Sequence, residues 1–166
     1  MNNKSQQIPT PKQFIKTINI MYYAILLGPI GFLLVQYFDI KETKLEFTNT
    51  ENPLQYVVPI LAILGFLFGK HLFNQNIKKL QKKETLLEKL SLFQTGFIIK
   101  IALLEGPSLL GIVAFSQEGN LFFLFISGIL LLIIALKKPN KLNIEALLNL
   151  SSEQRSQFNK PDEKLV

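Results

Sequence analysis

From Ile18 to Phe38 the chain carries no charged side chain. As a helix rising about 1.5 Å per residue, a run of that length crosses a hydrocarbon core of about 30 Å. Three further apolar runs follow, at about 53–73, 92–115 and 121–138. Apolar runs this long need a lipid surround or a very large core, and 166 residues supply only one domain. The pattern predicts an all-α integral membrane four-helix bundle. The first run is read as an uncleaved span, because it is too long for a signal-peptide core. Gln36, Tyr37 and Phe38 also stand where a small-residue cleavage site would be.

The polar segments set the topology. Lysine and arginine number three in the N-terminal tail (1–17), five between the second and third runs, and six from Lys137 to the end; the two remaining loops hold only Lys41 and Lys44. Positively charged loops stay in the cytoplasm, so both termini are expected there. Lysine far outnumbers arginine, and Asn, Ile and Phe are frequent, as in AT-rich bacterial genomes. The expected location is therefore the bacterial inner membrane. The net charge of +6 lies between apolar blocks and is not interleaved with aromatics. It suits the bilayer and anionic headgroups at a basic cytoplasmic face, with no nucleic-acid role.

Local signals refine the outline. Pro9 and Pro11 are expected to keep the chain start extended. Asn52-Pro53 reads as a helix cap followed by a first-turn proline, and Gly119-Asn120 as a reversal whose Asn120 caps the fourth span. Residues 74–90 are either a basic amphipathic helix, an extension of the next span, or a solvated linker. Lys70 and His71 lift their polar ends to the interface. The C-terminal segment (139–166) reads as a cytoplasmic tail with a short helix near Ile144, a capping box at Ser151/Gln154, and fraying from about Asn159.

An internal repeat is visible. Thr17–Pro29 (TINIMYYAILLGP) and Thr95–Pro107 (TGFIIKIALLEGP) share Thr, Ile, Ala, Leu, Gly and Pro at one constant offset. This predicts two parallel repeated helical hairpins. Pro29 and Pro107 free the carbonyls of Ile25 and Leu103, which lipid cannot satisfy. Gly28, Gly106 and Gly111 are expected to admit close helix approach, so that the first and third spans meet with their disturbed turns facing each other.

Function narrows to one carboxylate. Glu105 lies mid-span, replacing Leu27 of the first copy, and Lys100 replaces Tyr22. Lys100 can reach the interface, whereas Glu105 cannot. Glu105 is expected to face the interior near Gly28-Pro29. There it would be either a proton or cation site, with Lys100, Tyr22 and Tyr23 as company, or an uncharged acid bonding across helices. Cysteine is absent and His71 is the only histidine, so no multi-ligand metal centre, thiol chemistry or cofactor motif is expected. No His/Asp pair, nucleophile elbow or second intramembrane acid suggests an enzyme.

Two resemblances attach to these residues. The stretch FIIKIALLEGPSLLGIVAFSQEGNLFFLF through KKPNK resembles a group of small uncharacterised four-span membrane proteins of Bacteroidota, which implies the four-span fold and no activity. Ala102-Leu103, Glu105 and Gly111-Ile112-Val113-Ala114 are similar to the carboxylate helix of rotary-ATPase proteolipid subunits, which implies ion binding at Glu105. The chain departs from that family in lacking its glycine-repeat helix, in carrying Lys100, and in the Gly106-Pro107 step. The expected role is a non-enzymatic accessory or structural subunit, joined to other membrane subunits or to copies of itself. The alternative is a small proton- or cation-coupled carrier or channel using Glu105.

Overall fold

The computed structural model describes residues 9–47, 52–80 and 83–165. Six helices account for most of them: α1 (Pro11–Asp39), α2 (Leu54–Leu80), α3 (Leu86–Glu118), α4 (Leu121–Ala135), α5 (Lys141–Leu148) and α6 (Ser152–Asn159). Three helices, α1, α2 and α3, are long and apolar enough to cross a membrane. α4 is as apolar but has only 15 residues, or about 22 Å. The sequence places a fourth span over 121–138; the helix stops earlier, ahead of Leu136, Lys137, Lys138 and Pro139.

The ends of the helices are written locally. Thr10 and Gln13 form a capping box, with Pro11 in the first turn of α1. The extended start expected from the two prolines therefore ends at Thr10, because a fixed φ suits the first helical turn as well as it suits an extended chain. Asn52 Oδ1 accepts the Leu54 amide, and Thr85 accepts that of Glu88. The 74–90 linker resolves into helical extensions: α2 continues to Leu80, and α3 begins at Leu86. Most of the N-terminal tail, Glu51 of the first loop and Lys82 of the 74–90 segment lie outside the described residues.

α3 is the central element. α2 packs against it antiparallel, with Gly65 at Leu103, Gly69 at Lys100 and Asn76 at Gly96. α1 runs beside it in the same direction: Gln94 Nε2 reaches Met21 Sδ at 3.4 Å, and Tyr37 stacks on Phe115. α4 folds back on α3 through two buried serines. Ser127 Oγ lies 2.9 Å from the Ser108 carbonyl, and Ser108 Oγ faces the Ser127 carbonyl. α1 and α2 scarcely meet, so a strip of α3 stays open between them.

Two loops close the bundle. At the α3–α4 turn Gly119 takes φ 64°, and an added Cβ would come within 2.6 Å of the Glu42 carbonyl. The left-handed backbone and this close approach both require glycine. Asn120 caps α4 and also holds the first loop, accepting from Glu46 N and donating to Glu46 O. At the other end α5 and α6 form a cap. Ile144, Leu148, Phe158 and Leu165 are buried in the same cluster as Phe14, Leu80 and Leu90. Lys12 N bonds Pro161 O, and Leu165 N bonds Pro9 O. The frayed tail expected beyond Asn159 is therefore a folded segment, because its apolar side chains find the core and its backbone pairs with the start of α1.

Candidate functional site

The intramembrane residues singled out by sequence fall into two separate places. Glu105 is half-buried on the open strip of α3 between α1 and α2. Its helical spacing from Gln94 and Ile98 places it on the flank that faces α1. Met21–Gln94 and Tyr37–Phe115 bracket it, so it lies near the level of Pro29. No described residue hydrogen-bonds or ion-pairs with the Glu105 carboxyl. Ala102 and Gly106 beside it are exposed.

The other three members of the expected ion site are turned elsewhere. The Tyr22 hydroxyl donates to the Ala135 carbonyl at 2.9 Å, tying α1 to the end of α4. Tyr23 packs edge-on against Tyr22, and Lys138 stands over its ring at 5.4 Å. Lys100 is half-buried and points at α2, its ammonium 4.3 Å from the centre of the Phe73 ring. Glu105, Lys100, Tyr22 and Tyr23 do not form one site. Five residues of α3 separate the two charges and send them to opposite flanks.

Of the glycines expected to admit close approach, Gly111 does so and Gly28 and Gly106 do not. A Cβ added at Gly28, Gly31 or Gly106 would meet nothing within 4 Å. The close approach occurs at Gly65, Gly69 and Gly111. A Cβ at Gly65 would overlap the Leu103 carbonyl oxygen, and one at Gly111 would overlap Ser127 Oγ. The carbonyl that Pro107 releases is thus met by the bare backbone of Gly65 on α2, as a weak C–H···O contact, and not by α1. Helix α1 continues through Pro29, and α3 through Pro107. The signal for this contact was present in the sequence: Gly65-Phe-Leu-Phe-Gly69 is a small-xxx-small step, the usual device for close helix packing in lipid.

Sequence reasoning also missed a cluster on the α2 side. Lys70, Lys100 and Lys137, from three different helices or their ends, share a cavity of about 260 Å³ with Phe66, Phe73, Asn74, Ile101, Leu104 and Ile133. A smaller cavity of about 200 Å³ continues under the cap, past Lys138 and Asn143. Among the described residues no acidic side chain lines either cavity. Lys70 and Lys137 read as the ends of spans and Lys100 as a lysine inside a span reaching for the interface, so nothing in the linear order brings them together. His71 is exposed, with Gln75 its hydrogen-bond partner. Among the described residues no three His, Cys, Asp or Glu side chains gather as metal ligands.

Scans against protein-family models and searches of curated proteins and of solved structures found no match for this chain. The class that can be stated is a helical protein whose long apolar helices suit a membrane location.

Proposed function

We infer that the protein is a four-span inner-membrane protein, both termini cytoplasmic, that serves as a non-enzymatic accessory or structural subunit of a larger membrane assembly. The observation that carries this reading is Glu105, a carboxyl in the middle of an apolar helix with no partner among the described residues. Such a group is costly in hydrocarbon and needs a donor from somewhere. The open strip of α3 offers the place: Ala102 and Gly106 let another helix come close, and α1 and α2 stand as walls on either side. A transmembrane helix of a partner, or of a second copy, seated there would supply the missing hydrogen bond.

Two features support the four-span topology. α4 and Leu136 form an apolar segment between Asn120 and Lys137, and a segment shorter than the hydrocarbon core is accommodated by local thinning of the bilayer. Lys12, Lys16, Lys78, Lys79, Lys83, Lys89, Lys137 and Lys138 gather at the capped end of the bundle, which suits the cytoplasmic face. The proposed duplication rests on the shared Thr…Gly-Pro pattern and on α1 and α3 running alongside in one direction. The tight α3–α4 pairing has no counterpart between α1 and α2.

Purification of the full chain in mild detergent, with identification of stoichiometric partners, tests the proposal. A partner or homo-oligomer that survives Glu105→Gln and is lost in Glu105→Leu supports it, since the amide still hydrogen-bonds. A monomer that conducts protons or cations in liposomes, and loses that conductance in Glu105→Gln, replaces it with the carrier reading. Reporter fusions near Lys83 and after Lys138 are expected to report cytoplasm, and fusions at 41–47 periplasm.

A further inference from the structure

We propose that the cavity between α2, α3 and α4 binds a phosphate group, held by the ammonium groups of Lys70, Lys100 and Lys137. Three positive side chains converge there, and among the described residues no carboxylate lines the cavity. The ion pairs of the described residues use Lys12, Lys44, Lys83 and Lys160, none of which lines this cavity. Like charges brought together repel, so the arrangement favours a bound anion.

The convergence is built into the fold. Gly69 lets α2 approach so closely that an added Cβ would lie 3.1 Å from the Lys100 carbonyl, which places Lys70 next to Lys100. Phe73 holds the Lys100 ammonium over its ring, at 4.3 Å from the centroid, and so keeps it in the cavity instead of extending to the nearest water. Lys137 arrives from the turn that ends α4. Asn74 adds an amide that can donate to a phosphate oxygen.

The walls specify the rest of the ligand. Phe66, Ile101, Leu104 and Ile133 line the side that runs back along the apolar helices. An acyl chain fits against them while its phosphate sits among the lysines. Basic pockets between membrane helices hold anionic headgroups in this manner. A soluble phosphate would use the same lysines and leave the apolar wall empty.

The test is native mass spectrometry of the intact chain in detergent, titrated with phosphatidylglycerol, phosphatidylcholine or inorganic phosphate. Phosphatidylglycerol is expected to stay bound, and each of Lys70→Gln, Lys100→Gln and Lys137→Gln to weaken it about fivefold. Lys78→Gln/Lys79→Gln, on the same helix as Lys70 but outside the cavity, should leave binding unchanged. Inorganic phosphate that displaces the lipid at the same lysines identifies the soluble anion as an occupant of the same site. Equal loss in the Lys78/Lys79 double variant, or no loss in the cavity variants, overturns the proposal. If Lys100→Gln fails to fold, Lys137→Gln decides, because Lys137 lies beyond the last turn of α4. The measurement does not depend on any partner at Glu105, so the two proposals stand or fall separately.

Discussion

The two flanks of α3 are built on opposite plans. Toward α2, glycines remove side chains so that backbone meets backbone, and the carbonyl freed by Pro107 is covered. Toward α1, contact depends on larger side chains (Ile18, Tyr22 and Leu26 are buried), while Gly28 and Gly31 face open space; Gly106 stands on the open strip, beside a groove lined by α2. The first flank is held by backbone contacts within the chain, with an apolar groove beside them. The second leaves an acid without a partner and small residues without a neighbour. In lipid there is little hydrophobic drive between helices, so close packing and hydrogen bonds decide which faces are satisfied. The difference separates a face that makes the fold from a face available to something else.

The largest expected effect falls on the closed flank. Gly65→Val places a branched side chain on the Leu103 carbonyl and pushes α2 off α3. We expect a loss of about 3 kcal/mol or more in stability, read as a lower Tm in detergent, with aggregation. Tolerance of valine there would break the comparison outright.

The α1 flank should respond more mildly. Tyr22→Phe removes the hydrogen bond to the Ala135 carbonyl and leaves that acceptor to the end of its own helix. About 1 kcal/mol of stability should be lost, measured by thermal unfolding. A loss as large as that of Gly65→Val would mean that α1 is held as firmly as α2.

Leucine at Gly28 or Gly106 should change the stability of the isolated chain by less than about 0.5 kcal/mol, since nothing stands in the way. The same variants should weaken co-purification of a partner. Unfolding by either one would place those glycines inside the bundle and erase the contrast between flanks.

The smallest effect lies in the first turn of α3, ahead of its apolar run. The Lys83 ammonium, 3.1 Å away, and the capping Thr85 hold the Glu88 carboxyl below the ordinary glutamate range. A depressed acid contributes stability above its unfolded value and loses it as pH falls through its folded value. The contribution therefore disappears only in the acid range, and it is slight because the pair is exposed to water and salt. In Lys83→Gln the carboxyl should titrate closer to an ordinary glutamate by NMR. An unchanged titration would assign the shift to Thr85 alone.

Much of the architecture can be read from the chain in order. Long charge-free runs announce the membrane helices because hydrocarbon tolerates no unpaired backbone and few charges. Caps at Thr10, Asn52, Thr85, Asn120 and Ser151 are local, each joining a side chain to an amide two or three residues on. The depth of Glu105 is legible in the same way, but its lack of a partner is not: Tyr22, Tyr23 and Lys100 are expected beside it, and packing turns each of them elsewhere. Which helix meets which glycine is not local. Gly28-Pro29 and Gly106-Pro107 look equivalent in sequence, yet Gly65 and Gly69 are the glycines used, because only the antiparallel pairing of α2 with α3 sets them against Leu103 and Lys100. The C-terminal segment shows its short helix and capping box in sequence but not its docking, which occurs against a surface that exists only once α1, α2 and α3 are assembled. The convergence of Lys70, Lys100 and Lys137 has the same origin. Lys70 lies within α2, Lys100 within α3 and Lys137 just past α4, so only the packing of three helices makes them neighbours, and proximity in space is what turns separate charges into a site.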